Sequence, residues 1–428
     1  MPSAGPARRA ELEAFAQARL RAVRLRSHVH SAWDVPRWRD VGADFFVLQL
    51  LTPLLGQRPV APWAFVDLFS DEVERFMRAG VTYIEVHEHP TRPERGAGVV
   101  WRDGAEFAQW FYAVAYRLRS RFGPEIKVGF PALDEATPSE PLSEPAISWR
   151  TRFLEQVSGV LEAADWVALH VYWRTWEEMR ALDGALRFLE AYLASSPLQA
   201  FVITEFANLD RRLSAEERGA QYAEFVLQVS QYERVRAVIG FPMGSADPQT
   251  QSLAWLREED GRFPVIEAFA RRPGLPPVGE VVLRWPTRVQ RCLRSFGDEP
   301  FRTYTQWGVN GGHNGVDLAL ASSGEEGLAV TACLAGTVIQ VARDSEGYHK
   351  HVRVRSYTPS GQEITLLYAH LKRIEVSIGA LVSPGELLGW GGARELRGVP
   401  YLHLGMRVAG VHLPATRDWI NPRPYLAR

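Results

Sequence analysis

Gly312-His313-Asn314-Gly315-Val316-Asp317 is the stretch on which the reading of this chain turns, taken with Tyr401-Leu402-His403 further on. The first segment presents an imidazole and a carboxylate four residues apart. The second presents another imidazole inside an apolar, strand-like run. Two histidines and one aspartate form a three-ligand set that leaves a fourth position open on zinc, the arrangement of catalytic rather than closed structural sites. Around these segments the texture is that of short strands punctuated by glycine: Val330 to Val341, His351 to Tyr357, Glu363 to Tyr368, Gly385 to Trp390 and Leu402 to Val408. Helical periodicity is scarce from Val281 onward, which predicts an antiparallel β domain over 281–428.

Four features follow one another in this domain: His313-x-x-x-Asp317, Gly336-Thr337-Val338, Tyr368-Ala369-His370-Leu371, and Leu402-His403. A glycine-spaced pair, Gly379-x-x-Val382-x-x-Gly385-x-x-x-Gly389, comes between the third and the fourth. With the approach Trp285-Pro286, they make the region from Trp285 to Pro424 resemble the lysostaphin/LytM-type zinc metallopeptidases of the Peptidase_M23 family. Those enzymes cut peptide cross-bridges of bacterial peptidoglycan. The resemblance implies one Zn2+ held by His313, Asp317 and His403, with His370 beside it to manage the proton of the attacking water and the developing oxyanion. It also implies peptidoglycan, or another peptide or glycan polymer, as partner, and a place at the cell envelope. In one respect the chain departs from the family. The first residue of the usual His-x-His is here Tyr401. Residues two apart in a strand share a face, so Tyr401 points the same way as His403. A phenol with a pKa near ~10 is a poor general base at neutral pH, although it still donates a hydrogen bond. The expectation is therefore a zinc-holding, endopeptidase-type domain with reduced activity, or a binding scaffold that retains the groove without turnover.

Residues 7–272 read differently. Apolar runs at Ala22 to Leu25, Asp44 to Leu51, Tyr83 to Val86, Lys127 to Leu133, Trp166 to Tyr172, Phe201 to Thr204 and Val238 to Phe241 alternate with helical patterns. The clearest of these patterns are Ala10 to Val23, Glu106 to Phe122, Arg150 to Ala164 and Glu216 to Tyr232. Alternation at this pitch predicts parallel strands with helical crossovers. Seven units in one run favour a (β/α) TIM-type barrel whose first strand is missing. The segment 273–280, rich in proline and glycine, reads as a linker.

Strand ends are where such barrels carry chemistry. Thr204-Glu205-Phe206 and His170-Val171-Tyr172 resemble the penultimate strands of clan A retaining glycoside hydrolases, which would make Glu205 the nucleophile. The acid of that family belongs where this chain has His87-Glu88-His89-Pro90, and anchoring on the proline puts His89 in its place. Alternation along a strand turns Glu88 the other way. Retaining hydrolysis needs two carboxyls about 5–5.5 Å apart, so glycosidase activity is not expected. A different reading gathers His28, His30, His87 and His89 into a metal cluster at the barrel mouth.

The totals exclude some classes. The 428 residues are too long for one average domain, and 46% are apolar, enough for two cores. A formal charge of −1 gives no electrostatic case for nucleic acid. The opening residues lack the apolar core of a signal peptide, and no apolar run is long enough for a membrane span. The envelope location implied by the resemblance thus conflicts with a chain that reads as cytoplasmic; a start placed too far downstream would account for both the absent signal and the absent first strand. Cys292 and Cys333 are either paired or buried thiols. His349, His351 and His412 fall outside the motifs and read as surface or loop residues.

Overall fold

The computed structural model describes residues 2–51, 60–90, 101–133, 152–180 apart from Leu154 and Ser158, 200–244, 248–257, 262–271, 274–298, 312–320, 328–343 and 347–427. Part of the helix expected at Arg150 to Ala164, and Pro273 at the head of the expected linker, lie outside them. The chain divides into two compact units: Met1–Ser230 with Arg234–Arg272, and Gln231–Glu233 with Pro273–Arg428.

The first unit is a nearly closed parallel barrel of seven strands. These are β1 (Ala22–Arg26), β2 (Phe45–Leu50), β3 (Tyr83–Val86), β4 (Lys127–Phe130), β5 (Trp166–Trp173), β6 (Ala200–Asn208) and β7 (Val235–Gly240), hydrogen-bonded in sequence order. β1 and β7 approach each other and bring the sheet close to closure. Helices Pro62–Arg78, Gly104–Phe122 and Ala215–Val229 supply crossovers. Asp103 caps the second of these through the Glu106 amide, and Ser214 caps the third within a capping box. The first helix ends at Gln17, earlier than its periodicity suggests, because Ala22 and Val23 are taken into β1 beside Phe45 and Phe46.

Alternation sorts the inward side chains into layers. Val47, Trp166, Ala168, Val202 and Ile239 form an apolar plug, with Ala22, Phe45, Tyr83, Ala200 and Ala237 against it. Gly129 makes room for this plug, since a Cβ there would come within 2.2 Å of the Trp166 ring. One inward step toward the C-terminal strand ends the lining turns polar: Arg24, Gln49, Glu85, His170 and Glu205 are all buried.

The second unit is antiparallel. Its main sheet runs β15 (Leu381–Val382), β11 (Gly336–Ala342), β12 (Lys350–Tyr357), β13 (Glu363–Leu371), β18 (Val399–Val408), β9 (Val316–Ala319), β8 (Cys292–Arg294). The short strands β17 (Glu395–Leu396) and β19 (Trp419–Ile420) also pair with β18. A separate sheet joins β10 (Ala329–Thr331), β16 (Leu387–Trp390) and β14 (Arg373–Ile374). The single strand expected over Val330 to Val341 is thus two strands in two sheets. The chain breaks at Ala332–Ala335, where the Cys333 amide donates to the buried Tyr368 hydroxyl at 2.7 Å. Cys292 and Cys333 are both free thiols, and burial pushes Cys333 up to about 12. His351 is fully buried on β12, not a surface residue, with its Nδ1 on the His349 carbonyl at 2.9 Å. Among the described residues no helix is long and apolar enough to cross a membrane.

Candidate metal centre and barrel mouth

β9 and β18 lie side by side, and their register sets Asp317 directly opposite His403 and Ala319 opposite Tyr401. His313 enters from the turn before β9. The ligand atoms make a near-equilateral triangle: His313 Nε2 to His403 Nδ1 is 3.0 Å, His403 Nδ1 to Asp317 Oδ1 is 3.0 Å, and His313 Nε2 to Asp317 Oδ1 is 3.1 Å. All three side chains are buried. A tetrahedral zinc ion with bonds of about 2.0–2.1 Å has ligand–ligand edges of roughly 3.3 Å, so the triangle is one face of such a site, slightly contracted. Two nitrogens and one oxygen are donors that a zinc-type ion accepts, and the fourth position is open.

Backbone groups orient the ligands. His313 Nδ1 donates to the Ser295 carbonyl at 2.9 Å, which leaves the Nε2 lone pair for the triangle. Gly315 has no Cβ because one would meet the Leu404 carbonyl at 2.5 Å and the His403 ring at 2.7 Å. Burial opposes ionisation of Asp317, but the two imidazoles overcome it and hold the carboxyl far below its usual range. Arg294 Nη1 stands 3.5 Å from Asp317 Oδ2. Burial also keeps His403 below the usual histidine range, hence neutral and able to ligate.

His370, next to last in β13, has φ of +65°, in the left-handed region that bulky residues rarely occupy. Its ring lies 6.0 Å from that of His403 and edge-on to Tyr401 at 5.3 Å. Burial, then the nearby His403, depresses His370 to about 3, so it is a neutral acceptor at ordinary pH. Several neighbours carried no sequence signal. Tyr348 lies 5.5 Å from the His403 ring and accepts a hydrogen bond from Asn314 Nδ2 at 2.6 Å. His349, which faces His370 at 5.5 Å, takes a hydrogen bond from Arg394 Nη2 at 2.8 Å. Of the three histidines outside the motifs only His412 is an exposed one, beside Asp418.

At the barrel mouth, Arg24 is the hub. Its Nε meets Glu85 Oε2 at 2.8 Å, Nη1 meets Glu205 Oε1 at 2.5 Å, and Nη2 meets Glu88 Oε1 at 3.3 Å. Tyr172 donates to the other oxygen of Glu205 at 2.5 Å. Both oxygens of the expected nucleophile are therefore engaged. Burial works against the Glu205 charge, and Arg24 restores it and takes the carboxyl below its usual range. Burial wins at Glu85, which rises to about 7 despite Arg24.

Two expectations are corrected here. Glu88 does not turn away from His89: β3 stops at Val86, and φ values of +72° at His87 and +41° at His89 break the strand alternation. Ligand-type atoms of Glu88, His89 and His170 all lie within 4.8 Å of one another. Nor do His28, His30, His87 and His89 gather at the mouth. His28 stacks on Phe69 beside Glu72, and His30 is bound by the Arg26 amide and the Ser3 carbonyl. His87 accepts from the Glu88 amide and is walled in by Trp101, Phe107 and Trp110.

Comparisons with known proteins bear on the second unit. The description "Peptidase family M23" matches residues 311–415. No curated protein matches the chain. Among solved structures, the catalytic domain of lysostaphin from Staphylococcus simulans is 22% identical, over 32% of this chain and 90% of that one, with a TM-score of 0.24. A zinc-containing peptidase from Vibrio cholerae is 23% identical, over 30% and 37%, with a TM-score of 0.24. Csd3 of Helicobacter pylori is 21% identical over 35% of this chain; the match spans about a third, 34%, of the Csd3 chain, with a TM-score of 0.24. With the His-Asp-His triangle in place and the family match spanning His313, Asp317, His370 and His403, the C-terminal unit carries a domain of peptidase family M23.

Proposed function

We propose that this protein is a zinc-dependent endopeptidase-type hydrolase of reduced activity, directed at the peptides of bacterial cell wall. The observation that carries the reading is the 3.0–3.1 Å triangle of His313, His403 and Asp317. The three side chains would hold the ion, which when bound would supply Lewis-acid chemistry toward a peptide carbonyl and toward water near neutral pH. His370, neutral and close to His403, would orient the attacking water by accepting a hydrogen bond from it. Tyr401 takes the place of a second imidazole and contributes a hydrogen bond to the oxygen on which charge develops. A tyrosine cannot shuttle a proton as an imidazole does, and the loss of one acid–base group typically costs on the order of 10²–10⁴ in rate.

The barrel is read as glycan-facing and related to glycoside hydrolases of the TIM type, with its turnover lost. Glu205 is held by Arg24 and Tyr172, and His89 stands in the acid position. Work on cell wall places the protein outside the cytoplasmic membrane.

A second reading, a zinc-holding module that binds peptidoglycan without cutting it, is favoured by Tyr401 alone. One experiment separates the two. The full chain is loaded with zinc and incubated with purified peptidoglycan, and newly released amino groups are counted against an Asp317→Ala control. Zinc-dependent release above the control supports the peptidase; stoichiometric zinc with no release, but with co-sedimentation, supports the binder.

A further inference from the structure

We propose that Glu88, His89 and His170 form a second divalent-metal site, of the zinc class, at the C-terminal ends of β3 and β5 in the barrel. It is independent of the M23 triad and of the glycoside-hydrolase resemblance.

Four observations lead there. The donor set is right: two imidazoles and a carboxylate, with ligand atoms within 4.8 Å of one another. That span closes to tetrahedral edges of roughly 3.3 Å by small side-chain rotations. The His89 and His170 rings already meet edge-on with centroids 4.7 Å apart.

His170 is fully buried, and neither of its ring nitrogens has a hydrogen-bond partner among the described residues. Leaving a buried polar group unmatched is costly. Such a group in a folded protein calls for a physical explanation, of which an ion is one.

The charge balance also admits a cation. Three carboxyls, Glu85, Glu88 and Glu205, share two guanidinium groups, Arg24 and Arg26, and Glu85 is only partly ionised near neutral pH, so the cluster carries no positive excess to repel an ion. Arg24 holds Glu85 and Glu205 at 2.8 and 2.5 Å but Glu88 only at 3.3 Å. Glu88 is thus the carboxylate most easily released to a metal. The backbone contributes the last observation. His87 and His89 both sit at positive φ, the left-handed region that side-chain-bearing residues rarely occupy. This turn is what points Glu88 and His89 the same way, toward His170.

The test uses the full chain with the C-terminal triad removed, His313→Ala/Asp317→Ala, so that the count does not depend on the M23 site. After chelation, the protein is titrated with Zn2+ and then, separately, with Co2+. The expected result is one tightly held equivalent of zinc and a visible Co2+ absorption of four-coordinate intensity. Adding Glu88→Gln or His89→Ala to that background should weaken binding at least tenfold, with unchanged circular dichroism. Both residues are partly exposed, so these variants avoid the fully buried His170. Absence of stoichiometric metal in the folded triad variant overturns the proposal, as does binding that neither added substitution weakens. Loss of zinc from the triad variant relative to the parent, with one equivalent retained, identifies two separate sites.

Discussion

Asp317 and His403 face each other across the antiparallel pair β9–β18, and their Oδ1 and Nδ1 atoms are 3.0 Å apart. Because the pairing is direct, Tyr401, two residues before His403, falls on the same face and meets His370 at 5.3 Å. On the proposed function, this arrangement makes Tyr401 the position to vary. Tyr401→His is expected to raise zinc-dependent peptide release by 10²-fold or more, the usual worth of a positioned acid–base group. Tyr401→Phe is expected to lower whatever release the parent shows, with zinc content unchanged. Equal rates for the parent and the histidine variant, measured at saturating zinc, would remove Tyr401 from the mechanism.

Gly315 acts on the same pair from below. A methyl group at this position would press on the Leu404 carbonyl and the His403 ring. Gly315→Ala should displace the imidazole, weaken zinc about 10–100-fold, as loss of a supporting contact does, and destabilise the fold by about 1–3 kcal/mol. Zinc titration beside chemical unfolding checks both. An affinity equal to that of the parent would mean that the strand absorbs the methyl group without moving His403.

Arg24 is fully buried and neutralises carboxylates from β3, β6 and the turn after β3. Removing one partner of a buried ion cluster leaves the others uncompensated, which typically costs about 3–5 kcal/mol. Arg24→Met should therefore lower the urea midpoint of the chain sharply, while Glu88→Gln, at a partly exposed position and the longest of the three Arg24 contacts at 3.3 Å, should cost much less. Similar midpoints for the two variants would contradict Arg24 as the hub.

His87 links stability to pH. Burial lowers its imidazole to about 4, below the ordinary value of 6.5. Between these values the unfolded chain binds a proton that the folded chain refuses. The stabilisation is complete above the unfolded value and is lost as pH falls toward 4, by on the order of 3 kcal/mol. Burial lowers His30 too, and it acts in the same direction. His87→Asn keeps an acceptor for the Glu88 amide and tolerates the left-handed backbone, but cannot charge. Urea unfolding at pH 7 and pH 5 should show a shallower pH dependence in the variant; an identical slope would exclude His87 as its source.

The strands and the ligand triad were legible because both are short-range signals. Period-2 and period-3.6 patterns report which way side chains face, and His313-x-x-x-Asp317 with His403 carries its donors in plain view. The partners that tune the site were not legible. The Ser295 carbonyl that orients His313 offers only backbone, and Tyr348 reaches the His403 ring through a turn that no spacing announces. His351 looked like a surface residue because a lone histidine in an alternating run gives no sign of which face is buried.

The amino-acid sequence by itself determined the parallel and antiparallel characters of the two units and singled out His313, Asp317 and His403 as a candidate donor set, since hydrophobic period and donor chemistry are local properties. Tertiary structure alone decided that Glu88 and His89 turn toward the same histidine, that Arg24 gathers three carboxylates, and that Asp317 stands opposite His403. The physical reason is that convergence depends on strand register and on a few left-handed backbone angles. A shift of one residue in either reverses which side chains meet.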